Sequence, residues 1–238
     1  MTIVWANSDN TTAKYLGGLT WDDHVFNYHP ALMVSGSIFA LISSLLFYRI
    51  LPVPKPYSKM IHTLCHTAAL SCIVVGLSAV VTSHDDKSMN TNHALTANLY
   101  SIHSMIGIAC MCMYFSNFFL GFTHFLLPLF GAAARKAFLP NHVFIGVFTL
   151  ILAGMAVESG LAELTTKLGC IYTVSTVDRN PADNYHKLPD GCKLANGIGI
   201  MVMLSVGMCV YALLAPSAAP EETQSGDDID SVFHVTDS

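Results

Sequence analysis

Apolar residues gather into five long blocks, at residues 30–50, 60–82, 99–123, 141–162 and 195–215, with polar or proline-marked sequence between them. An α-helix rises about 1.5 Å per residue, so ~20 apolar residues cross the ~30 Å hydrocarbon core of a bilayer. Charges are nearly absent inside the blocks, and their internal glycines and serines suit close helix–helix contact in lipid. The pattern predicts an all-α membrane protein, a transmembrane bundle with five visible spans. The first 28 residues add no sixth span, because Trp5 is followed by Asn7, Ser8, Asp9 and Asn10. They also lack the basic and apolar regions of a signal peptide.

The connections divide the chain. Pro52, Pro54 and Pro56 make residues 51–58 a stiff turn that stops one helix before the next. Residues 83–98 read as a polar loop containing His84, Asp85, Asp86 and His93. Residues 163–194 form the longest connection, and 216–238 are an acidic tail of disordered composition, with Glu221, Glu222, Asp227, Asp228 and Asp230. Three parts result: a non-cytoplasmic segment over 1–28, a transmembrane domain over 29–215 and a cytoplasmic tail over 216–238.

Composition strengthens the lipid assignment. Hydrophobic residues make up 53% of the chain and charged residues 11%, against about a quarter charged in soluble domains, and mean hydropathy is +0.51. The net charge of −5 gives no basic footprint, so nucleic acid is excluded as a partner. Orientation follows from the short connections at 49–59 and 124–140. They carry Arg49, Lys55, Lys59, Arg135 and Lys136 with no acid, which places them in the cytoplasm. The Asn10-Thr11-Thr12 glycosylation triplet then lies on the opposite side, in agreement.

Seven cysteines include no C-x-x-C and no C-x-x-C-H, so neither a zinc ribbon nor covalent haem attachment is signalled. Cys65, Cys72, Cys110, Cys112 and Cys209 fall within apolar blocks and read as small core residues. Cys170 and Cys192 bracket the polar 163–194 connection, where an oxidising compartment would join them in a disulfide or leave two unpaired thiols.

Histidines carry the chemistry. His29, His62, His66, His103 and His142 lie at or just inside span ends, where ionisable side chains are costly and mark function. His29 opens the first span and His103 the third, which puts both near the non-cytoplasmic face. His62 and His66 lie in the opening turns of the second span and His142 opens the fourth, near the cytoplasmic face. His29 to Arg49 spans ~30 Å, so the two groups sit at opposite ends of the bundle. Two facing histidines from separate helices make the bis-imidazole site of a b-type haem, and two such sites make an electron path through a membrane. A zinc or di-iron centre would want carboxylates, yet Glu158, at the end of the fourth span, is the only acid clearly near one. The competing readings are a haem-bearing, quinol-linked membrane anchor subunit and a non-enzymatic metal or proton transporter. His62 and His66 stand four residues apart on one helix face, so spacing alone leaves open which of them binds iron.

Four segments in order carry a resemblance: Phe26-Asn27-Tyr28-His29-Pro30-Ala31-Leu32-Met33, Lys59-Met60-Ile61-His62-Thr63-Leu64-Cys65-His66, Leu99-Tyr100-Ser101-Ile102-His103-Ser104 and Phe138-Leu139-Pro140-Asn141-His142-Val143-Phe144. From about Leu16 to the end of the last span the chain resembles the cytochrome b561 family of ascorbate-dependent transmembrane electron carriers. The resemblance implies a six-helix bundle with a four-helix haem-binding core, commonly a homodimer, holding two haem b groups. It implies His29 and His103 as ligands of the non-cytoplasmic haem, His62 and His142 as ligands of the cytoplasmic one, and His66 as a nearby non-ligand. It further implies that cytosolic ascorbate, a monoanion, docks on a basic rim of Lys55, Lys59 and Arg135. On the opposite face His84, accompanied by Tyr100, would meet an acceptor that is monodehydroascorbate or ferric iron, with His93 as a substitute for His84. The expected location is a secretory-vesicle, lysosomal or vacuolar, or plasma membrane. Two departures stand out: the family has a helix before the first span, of which Val4 and Trp5 match about the last residues, and the 163–194 connection is longer than usual.

Overall fold

In a computed structural model the described residues are 18–22, 24–90, 99–127, 129–167, 170 and 188–215. The expectations for Asn10, for His93 and for the acidic tail fall outside them. Every element among the described residues is helical. Five helices are long and apolar enough to cross a membrane: α1 (Val25–Ile50), α2 (Lys55–Asn90), α3 (Ile102–Leu126), α4 (Ala132–Lys167) and α5 (Asp190–Leu214).

α1 is not uniform. A 3₁₀ turn at Val25–Asn27 leads into α-helix, the helix widens to π-type turns over Val34–Ala40, and regular α-helix resumes at Leu41. Its entry is fixed by two side chains that reach back nine residues: Asn27 Nδ2 donates to the Gly18 carbonyl at 2.8 Å and the Tyr28 hydroxyl to the Leu19 carbonyl at 2.9 Å. These bonds hold the backbone immediately before His29.

Three boundaries correct the sequence reading. α2 does not stop at 82 but continues to Asn90, so His84 lies on a helix rather than in a polar loop. Polar residues mark where lipid ends, and between Gly76 and Asn90 no glycine or proline ends the helix as well. α4 begins at Ala132 and runs through Pro140, which puts Arg135 and Lys136 on the helix and His142 well inside it. Pro140 cannot donate to the Lys136 carbonyl, but that gap falls near the charged end of the helix, where water can meet the carbonyl. α3 begins later than 99. Leu99 adopts φ 59°, a left-handed conformation, and the Ser101 hydroxyl caps the helix by accepting from the Ser104 N–H at 3.2 Å. Tyr100 is therefore outside α3 and 88% exposed.

The 163–194 connection is also shorter than its polarity suggests, since α4 runs to Lys167 and α5 starts at Asp190. A disulfide joins Cys170 to Cys192 in the first turn of α5, with Cα atoms 6.0 Å apart. Among the other cysteines, Cys110 and Cys209 are buried, Cys65 and Cys72 half-buried, and Cys112 is exposed, so it is not a core residue. Cys112 faces outward like the large side chains around it, which an apolar solvent permits.

Packing follows small residues. α1 lies along α2 and α3 along α4, with α5 against α4 and α1. The contact surfaces use Ala69, Ala79, Ala153 and Ala195, all at most 2% exposed, while Phe39, Met203 and Met208 point outward at 63–73%. Inverted exposure of this kind is what a lipid solvent selects. Gly36 meets α2 so closely that an added Cβ would lie 2.8 Å from Cys72 Cβ.

Candidate functional site

Each predicted histidine pair is brought together across the two helix hairpins. At one end His29 of α1 and His103 of α3 face each other with ring centres 6.0 Å apart and planes at 87°. At the other end His62 of α2 and His142 of α4 stand 6.4 Å apart at 69°. A metal–imidazole bond of about 2 Å on each side, with ring nitrogens about 1 Å from their ring centres, puts two axial imidazoles of one iron about 6 Å apart. Both pairs match that spacing.

Hydrogen bonds fix which nitrogen each ring offers. His29 Nδ1 lies 3.0 Å from the Gly76 carbonyl of α2, and His103 Nδ1 lies 2.8 Å from the Ala156 carbonyl of α4. His62 Nδ1 lies 3.1 Å from the Ser44 carbonyl and 2.8 Å from the Ser44 hydroxyl on α1. A carbonyl can only accept, so Nδ1 carries the proton in all three rings and the Nε2 lone pair is left for a metal. His142 differs: its Nδ1 is buried with no hydrogen-bond partner among the described residues.

Glycines make room for two of the rings. A Cβ on Gly160 of α4 would lie 2.7 Å from His103 Cε1, and one on Gly121 of α3 would lie 2.6 Å from His142 Cε1. The relation is reciprocal, because α3 and α4 run antiparallel and each carries one histidine and one receiving glycine. Sequence reasoning missed these glycines, although each stands eighteen positions after the histidine on its own helix, five whole turns along the same face. Along α4, the Ala156 carbonyl that holds His103 lies fourteen residues from His142, which separates the two histidine pairs by about 20 Å.

Among the described residues no three His, Cys, Asp or Glu side chains converge on one point. A porphyrin supplies four ligands of its own, so two imidazoles are the complement it requires from a protein. At the His62–His142 end a cavity of about 440 Å³ among the helices is lined by His62, His66, His142, Gly121 and Phe125.

His62 and His66 have different surroundings. The two rings touch edge to face, 4.4 Å apart, but His66 Nδ1 points to the Tyr114 hydroxyl at 3.3 Å, and that hydroxyl donates to the His66 carbonyl at 2.8 Å. It is the His62 ring that faces His142.

The basic rim is only partly assembled. Lys59 reaches the cavity and donates from Nζ to the Phe125 carbonyl at 3.4 Å, whereas Lys55 is exposed and neither it nor Arg135 lines the cavity. Arg49 does line it, while its guanidinium donates to the Leu213 carbonyl at 2.9 Å and also to that of Ala215, closing the end of α5. Tyr48, whose ring centre is 5.3 Å from that of His62, is a further cavity residue that sequence reasoning passed over. On the opposite face His84 lies eight residues beyond Gly76 on α2, about 12 Å along the axis from the carbonyl that holds His29. Glu158 is not at the end of α4 but nine residues before it, with a buried Oε1 lacking a partner among the described residues. It packs where Gly199 of α5 has no side chain, since a Cβ there would lie 2.8 Å from Oε2.

Comparison with known proteins identifies the family. Residues 28–167 match the model of eukaryotic cytochrome b561. The chain is 38% identical over 207 residues to the lysosomal membrane ascorbate-dependent ferrireductase of Homo sapiens, covering 84% of this chain and 78% of that protein. It is 34% identical over 221 residues to the human transmembrane ascorbate-dependent reductase, covering 90% and 80%. Against a probable ascorbate-specific transmembrane electron transporter of Oryza sativa subsp. japonica, identity is 30% over 226 residues, covering 93% and 86%. On a match over most of its membrane-spanning core, and on relatives aligned along most of their own length, the chain belongs to the eukaryotic cytochrome b561 family.

Proposed function

We propose that this protein carries electrons across a membrane from cytosolic ascorbate, using two haem b groups, one ligated by His62 and His142 and the other by His29 and His103. Family membership brings haem b as the cofactor. The observation that carries the two-site reading is the pair of imidazole gaps of 6.0 and 6.4 Å at opposite ends of one bundle. When bound, haem b supplies reversible one-electron chemistry, the one kind of step that delivery of electrons from ascorbate to an outside acceptor requires.

The protein's own residues bind, orient and insulate. Carbonyls of Gly76, Ala156 and Ser44 hold three imidazoles in one tautomer and raise their donor strength. Gly121 and Gly160 give the rings a seat. Lys59 and Arg49 place positive charge at the cavity, where a monoanion such as ascorbate is drawn in, and Tyr48 walls the approach to His62. Lys55 and Arg135 add to the same field from the rim. The Cys170–Cys192 disulfide at the opposite end supports an oxidising compartment there, in agreement with the positive-inside bias. His84 is the receiving group on that face, and ferric iron is the acceptor, a choice supported by the ferrireductase name of the human relative. That relative's lysosomal membrane favours a lysosomal or vacuolar location for this chain.

The test is an optical titration of the purified protein. Two haems per chain, both reduced by ascorbate, are expected, with one remaining and still reducible in His103→Ala. A full complement of two in that variant, or no ascorbate-sensitive haem band in the wild type, would refute the reading.

A further inference from the structure

Three of the four imidazoles in the two pairs have an acceptor at Nδ1 on the adjacent helix of their own hairpin, and among the described residues His142 alone does not. Its surroundings supply a candidate. Asn117 of α3 is 9% exposed and donates from Nδ2 to the His142 backbone carbonyl at 3.2 Å. That bond fixes which way the carboxamide points, because the turned-over amide would set oxygen against oxygen. The same side chain's Oδ1 is buried and has no partner among the described residues. One orphaned acceptor and one orphaned donor therefore belong to two residues already joined by a hydrogen bond.

Register strengthens the pairing. On α4, Ala156 holds the His103 Nδ1 and stands one turn before Gly160, which seats that ring. On α3, Asn117 stands one turn before Gly121, which seats the ring of His142. Asn117 thus occupies on α3 the place that Ala156 occupies on α4, with a side-chain oxygen in addition to its main-chain one. A buried donor and a buried acceptor are costly to leave unmet, and an interior water can bridge such groups where they do not touch.

We propose that Asn117 is the positioning residue for His142: its Oδ1 accepts from His142 Nδ1–H, directly or through one interior water, while its Nδ2 holds the same residue's backbone. The inference rests on the reading of His142 as an iron ligand through Nε2, which is what puts the proton on Nδ1. An acceptor at Nδ1 makes the imidazole a stronger electron donor, which favours ferric over ferrous iron and lowers the midpoint potential of the haem it holds.

The experiment is redox potentiometry with electron paramagnetic resonance on the haem-loaded wild type, Asn117→Leu and Asn117→Asp. Leu keeps the shape and removes both polar atoms; Asp keeps an acceptor oxygen, ionised or protonated, in place of the amide. In Asn117→Leu one of the two midpoints is expected to rise, with altered low-spin signals for that haem and no change in the other. In Asn117→Asp the same midpoint is expected to stay at the wild-type value or fall. Unchanged midpoints in both variants would overturn the proposal, as would equal upward shifts in both, which would assign the effect to the Nδ2 contact alone. If Asn117→Leu does not accumulate, Asn117→Asp decides: a midpoint above wild type overturns the acceptor role. Two wild-type bis-imidazole signals with indifferent variants would defeat this inference alone. A wild type without such signals would defeat the underlying ligand assignment and this inference with it.

Discussion

At the residue scale the two histidine pairs are held by atoms that sequence reading does not weigh. The histidines were legible because an ionisable side chain inside a membrane is costly and five of them obeyed one topological rule. Their partners were not. Gly76 and Ala156 contribute main-chain carbonyls, which every residue owns, so nothing in their side chains announces the role. Ser44 reads in the sequence as one more small residue in a span, yet it meets His62 with both its hydroxyl and its carbonyl. The glycines are testable. In Gly160→Ala the new methyl would fall 2.7 Å from a His103 ring carbon, and neither atom lies at the end of a flexible chain. With one haem at each histidine pair, as proposed, loss of about half the bound haem is expected, read from the pyridine-haemochrome spectrum, because the His62–His142 pair is untouched. Full haem content in Gly160→Ala would mean that the His103 ring does not occupy that seat when haem is bound.

At the element scale the spans were legible to within a few residues at the lipid-facing stretches and less so at their ends. Hydropathy reports where lipid stops, and α2 and α4 both continue into the polar region beyond it. The fourth apolar block begins just after Pro140, but a proline near the watery end of a membrane helix can be absorbed where solvent meets the freed carbonyl. Leu99 and Ser101, by contrast, start α3 by local means, a left-handed backbone and a hydroxyl cap, and so trimmed the apolar block from its N-terminal side. The disulfide bridges α5 to the residues after α4 across a sequence separation of 22. Closing a loop of that length limits the unfolded chain, with an effect of about 3 kcal/mol in the chain-entropy view. The Cys170→Ser, Cys192→Ser double variant is therefore expected to melt at lower temperature with unchanged haem spectra, since both histidine pairs lie on the helices themselves. An unchanged melting temperature would show that α5 is fixed by its packing on α4 and α1 alone.

At the scale of the whole molecule the design is two antiparallel hairpins, α1–α2 and α3–α4, with one histidine pair bridging them near each membrane face and α5 covering one side. Span order and the basic short connections made this arrangement readable before any coordinates, because antiparallel helices leave little freedom in which histidines meet. The different surroundings of His62 and His66 were not readable from spacing: the His62 ring faces His142, whereas His66 meets Tyr114 from a different helix. The most direct test of transmembrane electron transfer is made in sealed vesicles containing the purified protein, loaded with ascorbate and given a membrane-impermeant ferric chelate outside. The account predicts that wild-type protein produces ferrous iron outside the vesicles. It predicts that His103→Ala, although its remaining haem is still reduced by ascorbate, loses nearly all of that transfer. Ferrous iron appearing at the wild-type rate with His103→Ala would contradict a path that needs both histidine pairs.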